Sequence, residues 1–276
     1  METPATYNTS TPAPKKPIEV LKGVLNADSV KKQFSEVLKE NAASFMASII
    51  DLYNTDNHLQ KCEPKQVVME ALKGAILKLP MNKQLGFAYL VPYKGTAQFQ
   101  IGYKGLIQLA MRTGQYRHIN ADKVFDGELQ EVNKLTGEID FSGEKKSDKV
   151  VGYFAYIEML NGFSKTLFRT TDEITSHAKR FSASFNHSSS PWKTDFDAMA
   201  LKTVLRNLLG HYGYLSIEMI TAISNDSDGD ALTNARGEAM SNENSEEVDF
   251  EDVSDRQQSE QQDQTEGGGE KPNPGF

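Results

Sequence analysis

The residues with the clearest chemical character are lysines, arginines and aromatic residues in three stretches that contain no acidic residue. The longest covers the 51 residues 71–121, and two shorter ones cover residues 174–194 and 198–217. Their aromatic residues include Phe99, Tyr103, Tyr116, Phe181, Phe185, Trp192, Tyr212 and Tyr214. Cationic side chains neutralise phosphates and aromatic rings stack on bases, so this composition is typical of a groove for single-stranded nucleic acid. One such stretch alone is equally typical of a basic surface beside core aromatics, but three together favour binding.

Residues for bond-making chemistry are scarce. The sequence contains no G-x-x-x-x-G-K-[ST] loop, so ATP hydrolysis is not expected. The single cysteine, Cys62, excludes a disulfide framework and a cysteine-rich zinc site. A nuclease needs clustered carboxylates to hold metal ions, and Asp195 and Asp197 are the only carboxylates next to the basic stripe that includes Lys202 and Arg206. We therefore expect a binding protein rather than an enzyme, with no cofactor and at most a modulating role for Mg²⁺. A metal-dependent nuclease that uses Asp195 is the catalytic alternative.

Charge is distributed unevenly along the chain and indicates three segments. The 276 residues carry a formal net charge of −8, yet residues 225–276 alone hold 15 acids and 3 bases. The expected organisation is a disordered N-terminal segment over residues 1–25, a mildly basic core over residues 26–224 and a disordered acidic tail over residues 225–276. No apolar run is long enough to span a membrane and no secretion signal is present, so we expect a cytoplasmic protein.

Periodicity and turn residues predict an α+β fold, a mostly antiparallel sheet with packed helices. Hairpins are indicated at Lys94-Gly95, Thr136-Gly137 and Asn161-Gly162. The predicted strands cover residues 85–93, 96–101, 116–125, 150–160 and 163–169. The predicted helices are one of about 25 residues from residue 28 or 29 and others over 64–79, 102–113, 170–181, 190–208 and 216–224.

Two predicted helices carry polar stripes opposite apolar faces. Lys104, Gln108 and Arg112 are spaced by four residues and share one side of the first. On the second, helical geometry of 100° per residue places Trp192, Asp195, Lys202 and Arg206 opposite the leucine-rich face. We expect these side chains to face away from the core and to line a groove.

Two long motifs carry a resemblance to a known family. Residues 100–116 read Q-I-G-Y-K-G-L-I-Q-L-A-M-R-T-G-Q-Y, and residues 191–208 read P-W-K-T-D-F-D-A-M-A-L-K-T-V-L-R-N-L. In order and spacing they resemble the two signatures of RecT-type single-strand annealing proteins. The resemblance covers roughly residues 28–224 and leaves out the acidic tail.

The resemblance implies a phage recombinase that binds single-stranded DNA and anneals it to a complementary strand without ATP. Such proteins have a core resembling the annealing domain of Rad52-type proteins. They form rings or helical filaments in which a continuous basic groove holds the single strand and the annealed duplex intermediate. They act with a phage exonuclease in the bacterial cytoplasm, close to the nucleoid. The host single-strand-binding protein is a further candidate partner.

Thirteen residues are predicted to contact DNA. The cations among them are expected to bind phosphates, and the polar and aromatic residues lie near these cations. They are Lys94, Tyr103, Lys104, Gln108, Arg112, Tyr116, Arg117, Lys179, Arg180, Trp192, Lys193, Lys202 and Arg206. A passive protein that protects single strands without promoting pairing would use similar contacts and remains the alternative function.

Overall fold

The computed structural model describes residues 16–182, 184–188 and 190–226. Residues 1–15 and most of the acidic tail, which the sequence predicts to be disordered, lie outside the described residues. The described helices are α1 (Pro17–Asn26), α2 (Asp28–Leu38), α3 (Ala42–Thr55), α4 (Pro64–Ile76), α5 (Tyr103–Arg112), α6 (Thr171–Phe181), α7 (Pro191–Thr194), α8 (Phe196–Tyr212) and α9 (Ile217–Asn225). The strands are β1 (Ala88–Tyr93), β2 (Thr96–Ile101), β3 (Tyr116–Phe125), β4 (Glu131–Val132), β5 (Ile139–Asp140), β6 (Val150–Met159) and β7 (Ser164–Thr170).

The strand pairings among the described residues are antiparallel, as the sequence predicted. Strand β6 is central in a three-stranded sheet of order β3-β6-β7, and β1-β2 and β4-β5 form separate hairpins. The β1–β2 turn places Lys94 and Gly95 in the left-handed region with φ of 48° and 81°. Two consecutive positive φ angles match the twist of the flanking strands, which explains the tight two-residue connection.

Helix α8 lies between the three-stranded sheet and other helices. It contacts all three strands of the sheet on one side and α5, α6 and α7 elsewhere. Every second residue of β6 is buried on the side of the sheet that faces α8, namely Tyr153, Ala155 and Ile157. Since α8 carries the second sequence motif, that motif occupies the middle of the fold.

The N-terminal boundary of the core was predicted too late in the chain. The sequence predicts disorder over residues 1–25, but α1 begins at Pro17, and its Leu21 and Leu25 are 0% and 3% exposed. The two leucines are four residues apart and therefore share one helix face, which packs on α3 and α4. Proline at the first helical position suits the helix start.

The single helix of about 25 residues predicted from residue 28 is also wrong. The chain forms α2, a short 3-10 turn over Lys39–Asn41, and then α3. Lys39 has a φ of 52°, outside the right-handed helical region. The break lets α2 and α3 pack against each other instead of continuing as one rod.

Candidate nucleic-acid interface

The two sequence motifs meet at one cavity of about 440 Å³, here named the motif cavity. Residues 100–103 of the first motif form one part of its wall. The second motif supplies Pro191, Thr194, Asp195, Ala198, Met199 and Lys202, and residues 89–92 with Asp56, His58 and Lys83 complete the lining. Motifs that lie about 75 residues apart in sequence thus build a single concave surface.

A glycine-to-glycine contact positions the first motif. A Cβ atom added at Gly102 would lie 2.1 Å from the Gly86 carbonyl oxygen, closer than any side chain permits. The Gly102 amide also donates a hydrogen bond of 2.9 Å to the Phe87 carbonyl. Because Gly102 caps the N-terminus of α5, this close approach fixes where Tyr103 begins the helix. Tyr103 is half-buried and lines the motif cavity, and its contact with DNA stays a prediction.

Tyr89 is a second aromatic residue of the cavity wall that the sequence analysis missed. It pairs with Gln100 across the β1–β2 hairpin, so the two side chains lie on the same face, and both line the cavity. Burial raises the pKa of the Tyr89 hydroxyl, and the nearby Asp195 carboxylate raises it further. The sequence could have indicated this position, because the two-residue turn at Lys94-Gly95 fixes the register of the hairpin and therefore pairs Tyr89 with Gln100.

Lys104 provides a cation next to the tyrosines. Its Nζ lies 6.0 Å from the centroid of the Tyr103 ring, and the residue is exposed. A Cβ atom on Gly86 would lie 3.2 Å from the Tyr89 hydroxyl and 3.4 Å from Lys104 Cδ, so the two side chains approach each other at this glycine. A cation beside two aromatic rings is the combination used to hold a nucleotide by its phosphate and base.

The cavity lining itself is nearly balanced in charge. Lys83 forms an ion pair with Asp56. Burial works to raise the pKa of Asp56, but hydrogen bonds from Lys83 and from the amides of Leu59 and His58 outweigh it and lower the pKa. Asp195 accepts a hydrogen bond of 3.2 Å from the Ala198 amide. Phosphate attraction at this site therefore depends on exposed cations around the cavity.

The start of the second motif forms a short helix of its own, not the continuous helix predicted from residue 190. The Ser190 hydroxyl accepts a 3.3 Å hydrogen bond from the Trp192 amide and so caps α7. Asp195, with φ of −150°, ends α7, and its side chain caps α8. This arrangement leaves Lys193 exposed, with its Nζ 4.7 Å from the centroid of the Phe185 ring.

Helical geometry predicted that Trp192 faces away from the core, and this prediction is wrong. It is buried, and its ring centroid lies 6.3 Å from that of Phe185 and 5.7 Å from that of Phe196. The break at Asp195 removes Trp192 from the α8 helical register, which is why the predicted face was wrong. Its structural role is to pack the Phe185 segment on α8.

Lys202 and Arg206 are also buried rather than outward-facing. Their side chains are each 7% exposed, and both form ion pairs with Asp226, at 2.9 Å and 3.2 Å. Arg206 also donates a 3.1 Å hydrogen bond to the Ile223 carbonyl near the end of α9. The prediction that they face away from the core is therefore wrong, because Asp226, the residue that follows α9, covers them. Lys202 still lines the motif cavity.

Three other predicted contacts lie outside the cavity and have partners in the protein. Arg112 donates hydrogen bonds of 2.6 Å and 2.9 Å to the Leu77 and Lys78 carbonyls at the end of α4. Arg117 pairs with Glu158 on the neighbouring strand at 2.8 Å. The Tyr116 hydroxyl accepts a 2.7 Å hydrogen bond from the Tyr214 amide.

The four remaining predicted contacts lie on other parts of the surface. Lys94 is exposed at the tip of the β1–β2 hairpin, whose first strand lines the cavity. Lys179 and Arg180 are exposed at the end of α6, with the Arg180 guanidinium 4.8 Å from the Phe181 ring centroid. Gln108 is half-buried on α5. Of the predicted stripe on α5, Lys104 therefore lies beside the cavity, whereas Arg112 binds backbone carbonyls at the end of α4.

Asp197, the second carboxylate considered for a nuclease, connects α8 to the sheet. Its two oxygens accept hydrogen bonds from Tyr153, at 2.6 Å, and from Lys123, at 2.8 Å. The hydrogen bond from Lys123, followed by that from Tyr153, lowers the pKa of Asp197. Over the described residues, no group of three or more histidines, cysteines and carboxylates could hold a metal ion. None of the described helices is long and apolar enough to cross a bilayer.

The fold is thus an antiparallel α+β arrangement, with aromatic side chains and exposed cations at the motif cavity. A family model described as the RecT family matches residues 43–264. YqaK, an uncharacterized protein of Bacillus subtilis (strain 168), is 48% identical over 224 residues, which cover 81% of this chain and 78% of YqaK. Protein RecT of Escherichia coli (strain K12) is 28% identical over 216 residues, covering 73% of this chain and 78% of that protein.

The chain belongs to the RecT family, as its two motifs indicated. A core like that of Rad52-type annealing proteins is consistent with this membership. The resemblance of the two motifs predicts a family region that ends near Ser224, but the family match extends 40 residues further, so part of the acidic tail falls within the family pattern. Membership supports a phage-type single-strand annealing protein that acts in DNA recombination.

Proposed function

We propose that the protein binds single-stranded DNA at the motif cavity and anneals it to a complementary strand without a nucleotide cofactor. The observation that carries the proposal is the meeting of both family motifs at one cavity lined by Tyr89 and Tyr103. Residues of two motifs that converge in space share a task, and the side chains around this cavity suit a nucleotide strand.

In this proposal, lysine side chains bind the phosphates of the strand and tyrosine rings bind its bases. Lys104 from the first motif and Lys193 from the second are exposed cations that neutralise phosphates. The rings of Tyr89 and Tyr103 stack on bases and hold the strand open. Since stacking accepts every base, the incoming strand is selected by base pairing and the protein itself has little sequence preference.

The proposal includes an assembly and partners. One subunit offers a short cationic path, so binding along a strand becomes tight when subunits polymerise into a ring or a helical filament. A phage exonuclease supplies the single strands by resecting duplex ends, with the host single-strand-binding protein as a second partner. All of this takes place in the bacterial cytoplasm, and Mg²⁺ at most modulates binding.

The test is the annealing rate of two complementary fluorophore-labelled oligonucleotides, measured with and without the protein in the absence of ATP. Rapid annealing in a protein-dependent manner is the expected result. Tight binding without faster annealing identifies a passive protector of single strands. Shortened oligonucleotides after long incubation with Mg²⁺ identify a nuclease, and the Asp195→Asn variant then tests the only carboxylate of the second motif that lines the cavity.

A further inference from the structure

Asp226 lies against the two cations of the second motif. Its carboxylate contacts Lys202 Nζ at 3.1 Å and 2.9 Å through its two oxygens, and Arg206 Nη1 at 3.2 Å. The Asp226 side chain is 0% exposed. One carboxylate thus faces two buried cations, and both cations belong to the motif that helps to build the proposed DNA site.

The geometry of this contact is that of an anion site. Two carboxylate oxygens held by a lysine and an arginine occupy positions that two non-bridging oxygens of a phosphodiester can occupy. Lys202 also lines the motif cavity, so the cation that holds Asp226 reaches the space where the strand is proposed to bind. A phosphate in the cavity and Asp226 therefore compete for the same ammonium group.

The position of Asp226 in the chain makes displacement structurally simple. It follows directly after the last residue of α9 and lies outside the helical hydrogen-bond pattern. Two ion pairs and the Arg206 hydrogen bond to the Ile223 carbonyl hold this helix end, and the release of Asp226 removes both ion pairs.

We infer that Lys202 and Arg206 form a concealed phosphodiester site, which Asp226 occupies in the free protein and a DNA phosphate occupies in the complex. Asp226 is thus an internal competitor that lowers the affinity for DNA. The inference rests on the proposed function, because it assigns a phosphate contact to the same site. The other role for this cluster is purely structural, with Asp226 anchoring α9 to α8 in both states.

The experiment compares the full-length Asp226→Asn variant with wild type in binding to a fluorescent oligothymidylate over a range of salt concentrations. If the site is open in one molecule in five, removing the competitor tightens binding about fivefold. Asp255→Asn is the matched control, since it removes the same charge from elsewhere in the acidic tail. An Asp226→Asn variant that is folded and binds no more tightly than Asp255→Asn overturns the inference.

A second measurement needs no substitution. Hydrogen exchange of wild-type protein is followed at the end of α9, with and without oligothymidylate. The inference predicts faster exchange of the amides at the end of α9 when DNA is bound, because Asp226 then loses the contacts with Lys202 and Arg206 that hold this end. Unchanged or slower exchange supports the purely structural role, and it decides the question if Asp226→Asn does not fold. Failure of wild type to anneal removes the proposed function but leaves both of these results interpretable.

Discussion

Substitutions of Lys104 and Arg112 separate DNA binding from helix stability within one short helix. Both cations lie on α5, but the guanidinium of Arg112 donates to the Leu77 and Lys78 carbonyls at distances of 2.6 Å and 2.9 Å. Lys104 is exposed beside Tyr103. Arg112→Ala therefore removes a cap from the end of α4, and Lys104→Ala removes a cation from beside the motif cavity.

The expected loss of stability for Arg112→Ala follows from its two hydrogen bonds. A hydrogen bond from a charged donor contributes about 1.5–3 kcal/mol when buried. Arg112 is exposed, so water replaces much of that contribution, and we expect the free energy of unfolding to fall by about 1–2 kcal/mol in total. For a chain of this size the melting temperature then falls by about 2–4 °C per kcal/mol.

Lys104→Ala is expected to act on binding alone. Loss of one phosphate contact makes the slope of log K against log salt concentration shallower by about 0.7 for single-stranded DNA. The melting temperature should stay within about 1 °C of wild type, because surface substitutions away from caps and cores have small effects.

The two variants are compared by thermal unfolding and by salt titration of oligothymidylate binding. Lys134→Ala, an exposed lysine on the β4–β5 hairpin, controls for loss of one positive charge. The reasoning is refuted if Arg112→Ala flattens the salt slope and leaves the melting temperature unchanged, or if Lys104→Ala and Lys134→Ala have the same salt slope.

Further predictions concern stability. Leu21→Ala in α1 should lower the free energy of unfolding in urea by about 2–5 kcal/mol, because the side chain is fully buried; no loss would contradict the packing of α1. Gly102→Ala brings a methyl group to 2.1 Å from the Gly86 carbonyl and should destabilise the protein by about 1–3 kcal/mol, with slower annealing. Gly210→Ala meets no atom within 4 Å inside α8 and should stabilise by about 0.5–1 kcal/mol; a loss would show that this glycine is required. The lowered pKa of Asp197 means that its ionised form stabilises the fold above the ordinary carboxylate pKa, and that this contribution is lost as pH falls through the lowered value. The difference in melting temperature between wild type and Asp197→Asn should therefore be larger near pH 7 than near pH 3, and a difference that is constant with pH would contradict the prediction.

Local signals in the sequence were sufficient for most elements of the fold. The hairpin at Lys94-Gly95 and the capping box of Thr170 with Glu173 are both present where they were predicted. Each depends on residues that are adjacent or three positions apart in the sequence, so it can be predicted without knowledge of tertiary contacts. The two motifs were likewise recognised as long, continuous segments.

Long-range packing explains what the sequence could not show. Helical geometry separates Lys202 and Arg206 from the leucine face of α8, but it does not show that Asp226 and the Ile223 carbonyl contact them. The covering residue, Asp226, is 20 residues beyond Arg206 and looks like any other acid of the tail. The break at Lys39 has no glycine or proline to indicate it, so the sequence favours one long helix there.

The central claim, that DNA binds where the two motifs meet, is tested most directly by the annealing rate of the Tyr103→Ala variant. Tyr212→Ala is the matched control, because Tyr212 is an exposed tyrosine that does not line the cavity. Base stacking on one ring contributes about 1–3 kcal/mol, so we predict annealing at least about fivefold slower for Tyr103→Ala at limiting protein concentration, with Tyr212→Ala close to wild type. Equal rates for the two variants, with both proteins folded, would contradict the claim.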